Sequence, residues 1–284
     1  MSVRILSDST CDLSPDLIAK YGIQIVPLHI VLGDKEYADG ASIAPDEIYR
    51  WSDANKATPK TSALGLEEAI NVFKPILDAG DEIVIFSISS HMSTTSNVMR
   101  IAANDLDAAD RVFVIDSLNL STGIGLQVLE AAEMAGAGKS GAEIVAHIES
   151  IRPRVRSSFV VDTLTYLHRG GRCSGLAALA GAALKLHPRI AVVDGKMGPG
   201  KKYRGVMKKV ILEYAKDMEE DLKSADSKRV FITHSGCEDS VIAEVKAYVE
   251  SLGHFEEILV TRAGCVISSH CGPGTLGVLF ISGN

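Results

Sequence analysis

Short apolar runs that end in hydroxyl-rich or acidic clusters recur along the first half of the chain. Val3-Arg4-Ile5-Leu6 stops at Ser7-Asp8-Ser9-Thr10-Cys11-Asp12, Ile83 to Ile88 runs into Ser89 to Thr95, and Arg111 to Ile115 runs into Asp116-Ser117-Leu118-Asn119. Each cluster feeds a stretch with helical signals. Ser14-Pro15 offers a cap and a proline where a first helical turn tolerates one. Leu66 to Ala79 places Ile70, Phe73 and Leu77 at helical spacing before Gly80, and Ser96 to Asn104 and Ser121 to Gly136 read as further helices. Ile23 to Leu32 reads as one more buried strand, closed by a turn at Gly33-Asp34-Lys35. Pro45 opens a helix, and the polar segment Ala54 to Ser62, with Pro59, reads as a loop ending at Thr61-Ser62. A continuous apolar run such as Ile83 to Ile88 marks a strand covered on both faces. The alternation implies a mainly parallel sheet flanked by helices, with ligands held outside the carboxyl ends of its strands.

The pattern changes near Arg152-Pro153-Arg154. Beyond it the expected strands are Ser158 to Asp162, Pro188 to Val193, Arg229 to His234, Glu257 to Arg262 and Leu276 to Ile281. Between them lie an Ala-rich helix at Leu176 to Leu186, a charged helix at Met207 to Lys223 and a helix at Ser240 to Leu252. The expected fold is therefore α/β. An N-terminal lobe over residues 1–153 holds the mainly parallel sheet, and a C-terminal α+β lobe spans residues 154–284, the boundary being approximate.

Composition narrows the function classes. With 284 residues, 46% of them hydrophobic and 23% charged, the chain has an ordinary globular make-up. A formal net charge of −7 argues against a nucleic-acid partner, although a local basic cluster spans Lys196 to Lys209. The five cysteines are scattered without metal-ligand spacing, which points to free thiols in a reducing compartment and to no bound metal. No apolar run approaches the roughly 20 residues that span a bilayer. The first residues follow a strand pattern, so no secretory signal is expected and the cytoplasm is the expected location.

Four loops carry candidate chemistry: Thr61-Ser62, Ser93-Thr94-Thr95, Asp116-Ser117 and His270-Cys271-Gly272-Pro273-Gly274. Hydroxyls and free N–H groups at helix starts suit carboxylate or phosphate oxygens, and each also suits ordinary helix capping. A fifth loop, Tyr166-Leu167-His168-Arg169-Gly170-Gly171-Arg172, sets arginines around two glycines, as either an anion-binding or a solvent-exposed turn. Ser93 lacks the G-x-S-x-G elbow of a hydrolase nucleophile, and the chain has no Walker-type loop. A serine hydrolase or acyltransferase using Ser93 with His270 stays as the alternative to a binding protein. A sugar- or triose-binding component related to dihydroxyacetone kinases is a third reading.

Taken in order, these segments resemble the DegV family, bacterial fatty-acid-binding carriers that serve fatty acid kinase. The matching residues are Ser7 to Leu13, Val26-Pro27-Leu28, Pro59-Lys60-Thr61-Ser62, Ser89 to Thr95, Asp116-Ser117, Leu167 to Arg172 and His270 to Gly274. The resemblance covers nearly the whole chain. It implies two lobes enclosing one long-chain fatty acid in a tunnel, with no catalysis by the protein itself and no cofactor. It further implies that Thr61, Ser62, Ser93 and His270 hold the carboxylate and that Arg172 docks the kinase. Two positions depart from the family pattern. Thr94 follows the key serine where glycine is common, and Cys271 stands where threonine is usual.

Overall fold

Why the apolar runs become strands is visible in a computed structural model, which describes residues 2–172 and 186–283. β1 (Val3–Asp8), β2 (Gln24–Val26), β6 (Glu82–Ser87) and β7 (Val112–Asp116) form an all-parallel sheet in the order β2-β1-β6-β7. Every β6 residue after Glu82 is buried, as its unbroken apolar run demands. α1 (Pro15–Tyr21), α3 (Leu66–Asp78), α4 (Thr95–Asp105), α5 (Thr122–Gly136) and α6 (Gly141–Ile151) flank this sheet. Ser14 caps α1 by accepting the Leu17 N–H, with Pro15 at the first helical position.

Ile23 to Leu32 is two strands and not one. β2 joins the parallel sheet, whereas β3 (His29–Leu32) joins β4 (Lys35–Ala38) and β5 (Lys60–Ser62) in a small antiparallel sheet, order β4-β3-β5. Pro27 lies at the break, where it has no N–H to give to a ladder. Thr61 and Ser62 consequently sit on a strand, with Thr61 opposite Ile30, and not in the loop that Pro59 suggested.

The chain leaves α6, passes through a tight turn at Arg152–Arg154 and enters a six-stranded mixed sheet at Val155. That sheet comprises β8 (Val155–Val160), β9 (Leu186–Val193), β10 (Lys196–Arg204), β11 (Ala225–His234), β12 (Glu257–Arg262) and β13 (Leu276–Ser282), in the order β10-β9-β8-β13-β11-β12. Only β11 and β12 run parallel among these pairs. Side chains alternate between faces: Phe159, Phe231 and Leu279 turn toward α5, while Val160, Ile232 and Phe280 turn toward α8 (Met207–Lys216) and α10 (Asp239–Ser251). The expected helix over Met207 to Lys223 divides into α8 and α9 (Glu219–Lys223), where buried Met218 turns the chain. The expected Ala-rich helix at Leu176 to Leu186 lies outside the described residues except for Leu186, which opens β9.

α5 is the wedge between the two large sheets. Ile124, Leu126, Val128 and Leu129 are all fully enclosed, so the helix is buried around its circumference. One apolar cluster thus runs from Val84, Phe86 and Ile115 through α5 to Phe159, Phe231 and Leu279. Closing this architecture are α2 (Pro45–Asn55), α7 (Thr165–Arg169) and α11 (Cys265–Cys271). α7 and α11 correct two expectations of loop, at Tyr166 to Arg172 and at His270.

Candidate functional site

β5 and α11 meet edge to end. β3 fixes β5 through the pairs Ile30–Thr61 and His29–Ser62. α11 packs against α2, α7, β3 and β5 and ends in Gly272, whose φ of 76° favours glycine. A Cβ at Gly272 would also stand 2.5 Å from the Tyr166 ring, so the helix terminates close against α7. His270 projects from the last turn, and its Nε2 lies 2.8 Å from Thr61 Oγ1.

Burial pushes the His270 imidazole down to about 4, and the neighbouring Arg172 guanidinium adds to the shift. The ring is therefore neutral near pH 7. A neutral ring has one donor and one acceptor, so one nitrogen completes a hydrogen bond with Thr61 while Nδ1 is enclosed without a partner among the described residues. Space for Nδ1 exists because residue 170 is glycine; a Cβ there would come within 2.2 Å of it.

Ser93 approaches from the loop leaving β6. Its N–H donates to Ser89 O at 3.1 Å, and its Oγ lies 2.8 Å from Thr95 Oγ1 while accepting the Thr95 N–H. Ser62 stands at the exposed rim and donates to Glu36 Oε1 at 3.3 Å. Arg172 is half-buried; its Nε and Nη2 donate to Met92 O, and Nη1 donates to Gly170 O at 2.8 Å. These five sequence-predicted residues line one cavity. Asp116 and Ser117 do not: their loop instead contributes Leu120 and Ser121.

Behind the polar rim the walls are apolar, formed by Leu28, Ile88, Leu120, Phe159, Leu167 and Leu279 among others. The cavity has a volume of about 90 Å³. Among the described lining residues Arg172 carries the one fixed charge. Hydroxyls, a neutral imidazole and one adjacent cation can surround a small anion, and the walls behind offer apolar surface to an alkyl group. The pairing also bears on the hydrolase alternative, since His270 Nε2 is engaged by Thr61 and the Ser93 hydroxyl by Thr95.

The two departures from the family pattern are accommodated differently. Thr94 is exposed with φ −88°, which any residue adopts, so the loop is unstrained. Cys271 is buried in the cavity wall, and burial pushes its thiol up to about 12.

Sequence reasoning missed three buried carboxyls behind this wall. Asp8 accepts the Ile88 N–H, tying the end of β1 to the end of β6, and burial raises it to about 6. Asp12 accepts from Gly264 N–H and the Ser121 hydroxyl, and burial raises it to about 8. Asp39, only 3% exposed, is raised by the same cause. Asp8 and Asp12 lie within the first polar cluster of the sequence, but no local pattern distinguishes Asp39 from a surface acid.

A family model described as "Uncharacterised protein, DegV family" matches residues 2–283. A DegV domain-containing protein of Deinococcus radiodurans is 34% identical over 279 residues, covering 98% of each chain. Among solved structures, one described as fatty acid binding of a DegV family protein from Thermus thermophilus superposes with a TM-score of 0.90 at 33% identity, over 99% of this chain and 100% of that one. A stearic acid-binding protein from Eubacterium ventriosum gives a TM-score of 0.86 at 29% identity, over 99% of this chain and 98% of that one. With that agreement of sequence and fold along the whole length, the chain belongs to the DegV family.

Proposed function

We propose that this protein is a carrier that binds one long-chain fatty acid and presents its carboxylate to an ATP-dependent fatty acid kinase for acyl-phosphate formation. The observation that carries the reading is the Thr61–His270 pair at the head of an apolar-walled cavity, with Ser93 and Arg172 beside it. The fatty acids bound by the Thermus and Eubacterium proteins support the choice of ligand. Thr61, Ser62, Ser93 and His270 surround the carboxylate, and the acyl chain lies along the apolar wall. The lobes that close over it are residues 1–153 and 154–284.

Energetics favour this division of labour. Each methylene removed from water gains about 0.8 kcal/mol, so a chain of about fourteen contributes on the order of 11 kcal/mol before the costs of binding. The headgroup therefore needs hydrogen bonds enough to offset its desolvation, and no tight ionic clamp. A carboxylate held mainly by neutral donors keeps its nucleophilic oxygens available to a kinase. The protein itself supplies binding and orientation, without a catalytic group or cofactor of its own, and works in the cytoplasm. No helix among the described residues is long and apolar enough to cross a membrane.

Titration with oleate tests the headgroup assignment. Thr61→Val, which keeps shape and removes the hydroxyl, should weaken binding about tenfold or more, the worth of a hydrogen bond to a charged group. Unchanged affinity would remove Thr61 from the site. Arg172→Ala should retain oleate while lowering the yield of acyl phosphate in the presence of the kinase. An equal loss in both assays would end the docking role of Arg172.

A further inference from the structure

Both ends of α11 are fastened to the same small sheet. At its C-terminal end His270 meets Thr61 of β5. At its N-terminal end the Cys265 N–H donates to Asp39 Oδ1 at 2.7 Å, and the Val266 N–H lies 3.4 Å from Asp39 Oδ2. Asp39 follows β4 directly, and its own N–H donates to Leu28 O at 2.8 Å, just before β3. β3 lies between β4 and β5. The path from Thr61 through β5, β3 and β4 to Asp39, and back along α11 to His270, is a closed circuit.

The geometry points to Asp39 as a positioning residue for the headgroup site, one that acts on the ligand only through His270. α11 is short, and His270 lies about 7 Å along the axis from Cys265 at 1.5 Å per residue. A displacement at the start of so short an element arrives at its end almost undiminished. Carboxylate at a helix N-terminus is also the electrostatically favoured partner for the free amides there. Ser9 secures Asp39 in turn, donating to Oδ2 at 2.8 Å while accepting the Leu28 N–H. Asp12 grips the adjacent Gly264 N–H and the Ser121 hydroxyl, which ties the same end of α11 to the start of α5. Asp39 differs from Asp12 in following a strand of the sheet that holds Thr61, so of the pair it is the one that couples the start of α11 to the Thr61–His270 distance.

This inference rests on the fatty-acid reading for its binding arm, and a ligand-free arm keeps the two separable. In ligand-free protein, the ring nitrogens of His270 observed by ¹⁵N NMR report the bond to Thr61. Asp39→Ala should move those resonances toward the values of an unpaired imidazole. Asp39→Asn, which keeps an acceptor for Cys265, should restore most of the wild-type signature and serves in its place if the alanine variant does not fold. Oleate affinity should fall about tenfold in Asp39→Ala, and the losses from Asp39→Ala and Thr61→Val should combine to less than their sum, because both disturb the Thr61–His270 bond. Unchanged ring resonances in Asp39→Ala, or losses of affinity that add in full, would overturn the proposal. If the wild type takes up no oleate, the fatty-acid reading fails, and the ring resonances still decide the role of Asp39.

Discussion

His270 owes its position to an absence on the facing chain. Gly170 has an ordinary φ of −73°, so backbone conformation does not require glycine there; the 2.2 Å approach of a Cβ to His270 Nδ1 does. Gly170→Ala is therefore expected to displace the imidazole from Thr61 and to cost about 1–3 kcal/mol of stability, the range for overpacking a tight site. Oleate titration and thermal unfolding of the same variant check this, and a variant with wild-type affinity would contradict it. The polar residues that line the cavity were legible in the sequence because their order and spacing follow a family pattern. Their supports were not. Nothing near Asp39 signals that its carboxyl turns inward onto a helix more than 200 residues away, since that contact exists only after the chain has folded.

At the level of elements, α11 rests on acids that titrate. Burial raises Asp12 from the ordinary 3.8 to about 8, so the folded protein holds a proton that the unfolded chain releases between those values. Its contribution to stability is complete below pH 4 and disappears as pH rises through 8. His270, shifted downward, has the opposite sign, but its window closes near its ordinary value of 6.5. Between pH 6.5 and 8, then, Asp12 sets the slope: the urea midpoint should fall as pH rises, and Asp12→Asn should flatten that fall. An identical slope in wild type and variant would refute the assignment. Local patterning predicted β6 because its run is apolar on both faces, and β1 and β7 from shorter apolar runs that end in polar loops; β2 was merged with β3 across Pro27. It missed α6, although Ser140 and Glu143 form a capping box and Ile144, Ile148 and Ile151 share a buried face. β10 has no such signal: Gly198-Pro199-Gly200 interrupts it, and only its pairing with β9 makes it a strand. Its exposed lysines account for much of the basic cluster, in a position where charge discourages edge-to-edge association.

Across the whole molecule, the loops leaving the parallel sheet, the small sheet and the mixed sheet each give residues to one cavity, while α5 joins the large sheets in one apolar cluster. Ligand bound there contacts elements from both halves of the chain, so binding and global stability are linked. At a free concentration one hundred times its dissociation constant, a fatty acid should add about 2.7 kcal/mol to the unfolding free energy. Delipidated protein should accordingly unfold several degrees below the loaded form, at about 2–4 °C per kcal/mol for a chain somewhat shorter than this. Coincident unfolding curves would show that the cavity holds nothing the folded state prefers. The most direct measurement is native mass spectrometry of the protein purified from bacteria without delipidation, followed by incubation with palmitate or oleate. One fatty acid per chain is expected, released on denaturation and depleted in Thr61→Val; protein that arrives empty and stays empty after incubation would refute the carrier role.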